Sequence, residues 1–256
     1  MKKLISIDLK TDLGFLKKPD INEGIFLTYN MLHKPVLLGI LGAIVGLEGY
    51  REKSKLPEYY IQLKNIQIGI QPLRTTNGNF LKSVVEYNNG VGYASQEAGG
   101  NLIVREQMLI RPAFCCFVEL DTGDPVQLRL LESLQHGEAD YLPYFGKNEF
   151  SLWWDEFREY NYQPFDFSEN YEVATIFMKS KEVIKEMVQK KIMAPFAMNG
   201  GEPKFMIFEE LPVGFDEQLL QYEKQPFVYT NFTLSKELQL EGLFRVQDHH
   251  GLVQLF

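Results

Sequence analysis

The spacing of apolar and polar residues sets out the elements of this chain. Residues 4–9, LISIDL, read as a short strand with apolar positions on both faces. A long apolar stretch begins at Pro35, which suits the first turn of a helix, where its missing N–H would go unpaired anyway. The spacing predicts a helix over 35–48. Residues 59–70, YYIQLKNIQIGI, set Ile61, Leu63, Ile66, Ile68 and Ile70 against polar neighbours, which predicts a strand. A further strand is expected at AFCCFVEL within 107–120. Residues 124–135 open on Asp-Pro and carry Val126, Leu128, Leu130, Leu131 and Leu134, the signature of a helix with its start signal. One more strand is expected near 148–154. The order β-α-β-β-α-β is the ferredoxin-like arrangement shared by RNA-recognition modules.

Between the second and third strands lies a long insertion, 71–106, rich in glycine and asparagine. A connection of that length within a compact domain is functional or disordered. Its branched segments, 84–87 and 102–104, are placed as the two arms of a hairpin. Beyond residue 150, the aromatic and acidic stretch 153–167 reads as a linker or cap. Strands follow at 171–178, 204–209 and 228–233, with an amphipathic helix at 181–192. Residues 243–247 and 252–256, joined by Asp248-His249-His250-Gly251, read as a terminal hairpin. The fold class is therefore α+β. A ferredoxin-like domain over 1–150 carries an inserted hairpin at about 71–106, and a smaller strand-rich domain covers 151–256.

Within the first helix, Gly39, Gly42, Ala43 and Gly46 recur on one face. Each interior glycine costs roughly 1 kcal/mol relative to alanine, so the face is expected to meet a sheet or another backbone very closely. The free N–H groups at the start of that helix, near Lys34 and the Lys17–Lys18 loop, would attract an anion such as phosphate.

The overall charge of −8 argues against nucleic acid until the chain is divided. Residues 1–111 hold 14 Lys/Arg and 10 Asp/Glu, whereas 112–256 hold 12 and 24. The asymmetry fits one basic surface on an acidic body, or simply a solvated acidic half. The uncharged run 35–47 is too short to span a bilayer, which takes about 20 residues. Asp8 and Lys10 break the N-terminal apolar stretch before a signal-peptide core could form. A cytoplasmic location is expected. Cys115 and Cys116, adjacent in an apolar run, suit buried thiols, and the scattered histidines show no zinc spacing.

No nucleophile elbow, phosphate-binding Walker loop or His-Glu-x-x-His motif occurs. His249 and His250 on a predicted turn, His136 after a helix end and His33 beside the basic loop fit surface roles better than catalysis. Lys17, Lys18, Lys34, Arg74, Lys82, Arg105 and Lys147 are the cations placed near RNA, since Lys and Arg neutralise phosphates. Tyr29, Tyr50 and Tyr87 are candidates for base stacking. Tyr50 also suits a place at the core's edge, closing the helix.

The motifs GF-x-KKPD and TYN-x-x-x-KP-x-LLG-x-LGA-x-x-GL-x-GY, with REQMLIRPAF at 105–114 and YLPYFGKNEF at 141–150, stand in a fixed order. In that order and spacing the chain resembles the fifth family of CRISPR-associated proteins, RAMP-superfamily subunits of type I (here I-B-like) interference complexes. The likeness covers about the first 150 residues. It implies a subunit that holds the 5′ handle of the guide RNA, with the insertion acting as a thumb on that RNA. It also implies docking onto the backbone and large subunits, indirect contact with target DNA, a role in antiviral defence and no cofactor. The alternative is a metal-independent endoribonuclease that processes the precursor RNA. In the family, such cutting uses a tyrosine near the end of the first helix with a Lys-His pair. Tyr50 matches the first part. Only His33-Lys34, in reverse order, answers to the second, so the chain is expected not to be an enzyme.

Overall fold

The computed structural model describes residues 1–20, 23–75, 77–89, 102–178 and 203–256. At its centre is a four-stranded sheet built from β1 (Lys2–Lys10), β3 (Gln67–Leu73), β6 (Ala113–Asp121) and β7 (Trp153–Tyr160). Its strand order is β3-β6-β1-β7, and every neighbouring pair is antiparallel. Ile5, Ile7 and Leu9 of β1 point to one face, where they are fully or almost fully buried. Helices α1 (Lys34–Ile44), α2 (Glu58–Leu63) and α3 (Pro125–His136) cover that face and share its main core. Ile176, Leu211, Phe227 and Phe256 join the same cluster, so it draws on both ends of the chain.

Helix α3 forms where its sequence signals place it. The Asp124 carboxylate accepts the N–H groups of Val126 and Gln127 at 2.8 and 3.1 Å. Gly137 closes the helix with a left-handed φ of 70°. Helix α1 ends earlier than its glycine pattern suggests. Gly46 lies past its end at φ 76°, with Gly46 N–H on Ala43 O and Leu47 N–H on Gly42 O. This is a Schellman cap. Of the three glycines, Gly42 makes a close approach to another helix instead of the sheet, and Gly46 makes one to the Asp140 carboxylate. A Cβ on Gly42 would lie 2.4 Å from Tyr59 Cβ.

Two expected strands take other forms. Residues 59–70 split into α2 and β3. Pro57 starts the helix in extended conformation, and Tyr60 and Leu63, three apart, are buried while Ile61 is 56% exposed. A period of two was visible in the letters, but the burial follows a helical period. The fourth strand runs eight residues, Trp153–Tyr160, through what reads as a linker. Its charges hid it. Lys10 pairs with Asp155 and Lys3 with Glu159 across the sheet, the charged pattern that protects an edge strand. A register shift opposite Ser6–Asp8 accompanies the positive φ of Glu156.

The remaining strands form three small sheets. β4 (Lys82–Asn89) and β5 (Leu102–Ile110) make the inserted hairpin, with β2 (Leu13–Gly14) paired at its base. β9 (Phe177–Met178), β10 (Met206–Phe215) and β11 (Tyr222–Thr230) form the second. β8 (Tyr162–Pro164), β12 (Leu243–Val246) and β13 (Val253–Gln254) form the third. That last sheet covers the back of the central one, where Leu4, Cys115 and Phe117 pack against Val246, Val253 and Leu255. Cys115 and Cys116 are both buried free thiols. The helix expected at 181–192 lies outside the described residues.

Gly42→Leu should lower stability by about 1–3 kcal/mol through overpacking against Tyr59. A thermal melt of the purified variant checks this, and an unchanged midpoint would show that α2 yields freely.

Candidate nucleic-acid interface

A loop between β2 and α1 carries the basic side chains, and it is folded tightly onto the hairpin. Lys18 N–H donates to Leu27 O, Tyr29 N–H to Leu16 O, and Leu16 N–H to the Thr28 hydroxyl. Phe26 then continues onto β5, giving its N–H to Arg105 O and accepting from Gln107 N–H. Lys17 is exposed, its ammonium 3.8 Å from the Phe26 ring centroid. Lys18 turns inward to Glu209 at 3.1 Å. Glu209 also accepts the backbone N–H groups of Asn30 and Met31, each at 3.0 Å.

Asn30 extends this network to the foot of the hairpin. Its amide nitrogen donates to Gly78 O, and its oxygen accepts Phe80 N–H and the Lys82 ammonium. Burial lowers the pKa of Lys82. Higher on the hairpin, Arg105 pairs with Glu86 at 2.5 Å. Lys147 reaches across to the buried Glu106 carboxylate, which also accepts from the Tyr87 hydroxyl. Tyr87 is 39% exposed, with Val84 and Ile103 more open still, so the arm presents apolar surface to solvent.

Arg74 and Arg111 behave differently. Both are exposed, both have positive φ, at 55° and 49°, and neither has an ionic partner among the described residues. Leu73 pairs with Ala113 and Lys10 with the same residue, which sets Arg74 and Arg111 at one end of the central sheet. Leu13 pairs with Ile110 and Lys82 with Leu109, so the basic loop and the hairpin's foot start from that end too. The fold thus gathers Lys17, Lys18, Arg74, Lys82, Arg105 and Lys147 around one end of the sheet. Arg111 was missed in the sequence. Its only signal was the turn before Pro112.

Two predicted residues, Lys34 and Tyr29, do not fit the roles expected of them, and a third, Tyr50, stands away from the basic cluster. Lys34 is buried and gives its ammonium to Phe256 O at 2.9 Å. Desolvation pushes its pKa down to about 8, and no path to a phosphate is left. Tyr29 is 2% exposed, so it has no free face on which a base could stack. Its hydroxyl lacks a partner among the described residues, and burial raises its pKa. Tyr50 is open, but it stands past the end of α1, where its hydroxyl shares a hydrogen bond with Tyr59.

His33 occupies the N-cap of α1 without a capping hydrogen bond, edge-on to Tyr29 and Tyr222. It is buried, and its Nδ1 has no partner among the described residues. Among the described residues no group of three or more His, Cys, Asp or Glu could hold a metal ion, and no helix is long and apolar enough to cross a membrane.

No protein-family model and no curated protein sequence matches the chain. Solved structures do. A chain of a CRISPR RNA-guided surveillance complex is 12% identical over 90% of each chain, with a TM-score of 0.46. A CRISPR protein from Archaeoglobus fulgidus is 10% identical over 99% of each, with a TM-score of 0.46. A chain of the Type III-B Cmr-beta complex bound to cognate target RNA and AMPPnP is 9% identical, with a TM-score of 0.46, over 98% of this chain and 86% of that one.

Burial lowers the His33 pKa from 6.5 to about 3, so the folded protein keeps this imidazole neutral. Below 6.5 the unfolded chain takes up a proton that the folded one refuses, and stability falls as pH drops toward 3. The loss should be about 1.4 kcal/mol per pH unit, or roughly 2 kcal/mol by pH 5. Denaturant melts of wild type and His33→Gln at both ends of that window check it. The variant should lose this part of the pH slope.

Proposed function

We propose that this chain is a guide-RNA-binding structural subunit of a type I CRISPR interference complex, holding the 5′ handle of that RNA. In this reading the four-stranded sheet with α1 and α3 is a ferredoxin-like RAMP domain, and the β4–β5 hairpin is its thumb. The sequence motifs resemble that family across the first 150 residues. The observation that carries the role is the shared origin of the hairpin, the basic loop and two arginines without ionic partners among the described residues, all at one end of the sheet. A projecting arm beside open cations suits a single strand held by phosphate contact and shape. The back of the sheet does not serve, because the third small sheet covers it.

The complex would supply the backbone and large subunits as further partners, in the cytoplasm, with target DNA reached through the guide. Endonucleolytic processing is the weaker reading. General acid–base cleavage of RNA needs a base near the 2′-hydroxyl and an acid near the leaving oxygen. Tyr50 is exposed at the matching position, but among the described residues no histidine or lysine lines the groove beside it.

Charge reversal at Lys17, Arg74 and Arg111 together should weaken guide-RNA binding and flatten its salt dependence. The log–log slope should fall by about 0.7 for each phosphate no longer neutralised. Lys34→Met should leave that slope unchanged. Filter binding over a salt series decides this, and a triple variant with the wild-type slope would sink the assignment.

Repeat RNA incubated with the purified protein should stay intact, with or without chelator. A product that disappears with Tyr50→Phe would establish the nuclease instead.

A further inference from the structure

A second surface lies apart from the basic end of the sheet. It is a groove of about 600 Å3 along the outer side of α1. Its walls carry Tyr50, Tyr59, Tyr141, Tyr144 and Tyr222. Leu142 stands at its edge, 64% exposed, and Tyr50, Tyr141 and Tyr144 are 62, 56 and 46% exposed. These side chains are held in place from below. Asp140 and Tyr141 give their N–H groups to Ile44 O and Ala43 O, so the loop is pinned to the last turn of α1. Gly39 and Ala43 leave the helix surface low enough for the groove to exist.

The charge of the lining decides between kinds of ligand. Among the described residues lining the groove, Glu48 and Arg51 are the charged ones, and they pair with each other at 2.7 Å. Nearby, Arg129 is likewise closed onto Asp140 at 2.6 Å. A polyanion would find no open cation there among the described residues, whereas nucleic-acid interfaces are strongly positive. An aromatic centre without unpaired charge and a rim of closed ion pairs is the composition of a protein–protein interface. The hydroxyls of Tyr141, Tyr144 and Tyr222 make no hydrogen bond to protein among the described residues and can donate to a visiting backbone carbonyl. Aromatic-lined grooves with such donors take extended, proline-bearing segments, whose backbone is already set and loses little entropy on binding.

We infer that this tyrosine groove docks an uncharged, proline-bearing extended segment of a partner protein. The inference does not rest on the RNA reading, because none of Lys17, Arg74 and Arg111 lines the groove.

The test uses the full chain and a capped, fluorophore-labelled peptide of alternating proline and leucine, followed by fluorescence anisotropy. Saturable binding that is insensitive to salt is expected. The exposed substitutions Tyr141→Ala and Leu142→Ser should each weaken it by about tenfold, the size of effect typical of a central interface anchor. A copy of the peptide with glutamates in place of leucines should not bind. Oligoadenylate should not displace the bound peptide, and the Lys17, Arg74 and Arg111 charge reversal should leave peptide binding intact. Absence of saturable peptide binding overturns the inference, as does binding indifferent to both groove substitutions. Displacement by oligoadenylate, or loss of guide-RNA binding in Leu142→Ser, would reassign the groove to RNA. Failure of the charge reversal to affect RNA would count against the RNA reading alone.

Discussion

The Glu209 carboxylate holds together the parts of this molecule that matter for its surface. It belongs to β10, yet it accepts two successive backbone N–H groups from Asn30 and Met31 and the ammonium of Lys18. Its side chain is 10% exposed, so the charge is largely out of water and depends on those partners. Charge-assisted hydrogen bonds of this kind are the strong ones, and removing one partner leaves an uncompensated buried charge. From Asn30 the network passes to Gly78, Phe80 and Lys82, at the foot of the hairpin. The basic loop, the entry to α1, the hairpin and the second sheet are therefore set by one carboxylate.

That arrangement explains the uneven charge along the sequence. The acidic second half does not stand apart from the basic first half; it neutralises part of it. Lys18 meets Glu209, Lys64 meets Glu217, and Asp20 meets Lys224 in the opposite sense. Inside the first half Glu86 closes onto Arg105, while Glu106 takes Lys147 from the second. Among the described residues, the cations left without carboxylates at the sheet's end are Lys17, Lys82, Arg74 and Arg111, of which Lys17 rests on Phe26 and Lys82 on the Asn30 amide oxygen. A Lys or Arg count describes the supply of charge. Pairing decides what remains for a ligand.

Elements with local chemical signals were legible in the letters. Helix α3 carries Asp124 and Gly137 at its ends, and the hairpin arms fall where branched residues interrupt a glycine-rich insertion. Signals that depend on tertiary packing were not. The residues of α2 show alternation as strongly as helical spacing, and the contact between Tyr59 and Gly42 decides between them. The charges on β7 disguise an edge strand because their partners, Lys3 and Lys10, stand about 150 residues earlier. For the candidate site, residue type suggested the basic loop well enough. It could not tell the buried Tyr29 and Lys34 from the exposed Tyr50 and Lys17, since burial depends on segments far along the chain. Phe256, whose carbonyl captures Lys34, is the extreme case.

The covering of the sheet's back face narrows how any RNA could be held. In RNA-recognition modules, bases stack on aromatic side chains of the central strands. Here the corresponding surface on β1 and β6 offers Leu4, Cys115 and Phe117, and all three are sealed beneath Val246, Val253 and Leu255. Opening it would expose a cluster of buried apolar side chains, at roughly 1.5–3 kcal/mol for each large one. A few base stacks, at about 1–3 kcal/mol each, would do little more than offset that. In the proposed role, recognition would therefore fall to the end of the sheet and the projecting hairpin. Backbone phosphates would meet Lys17, Arg74 and Arg111 there, and the apolar arm would lie against the strand. A surface of that kind reads shape and spacing more than base identity, as a subunit that grips one end of a guide would need.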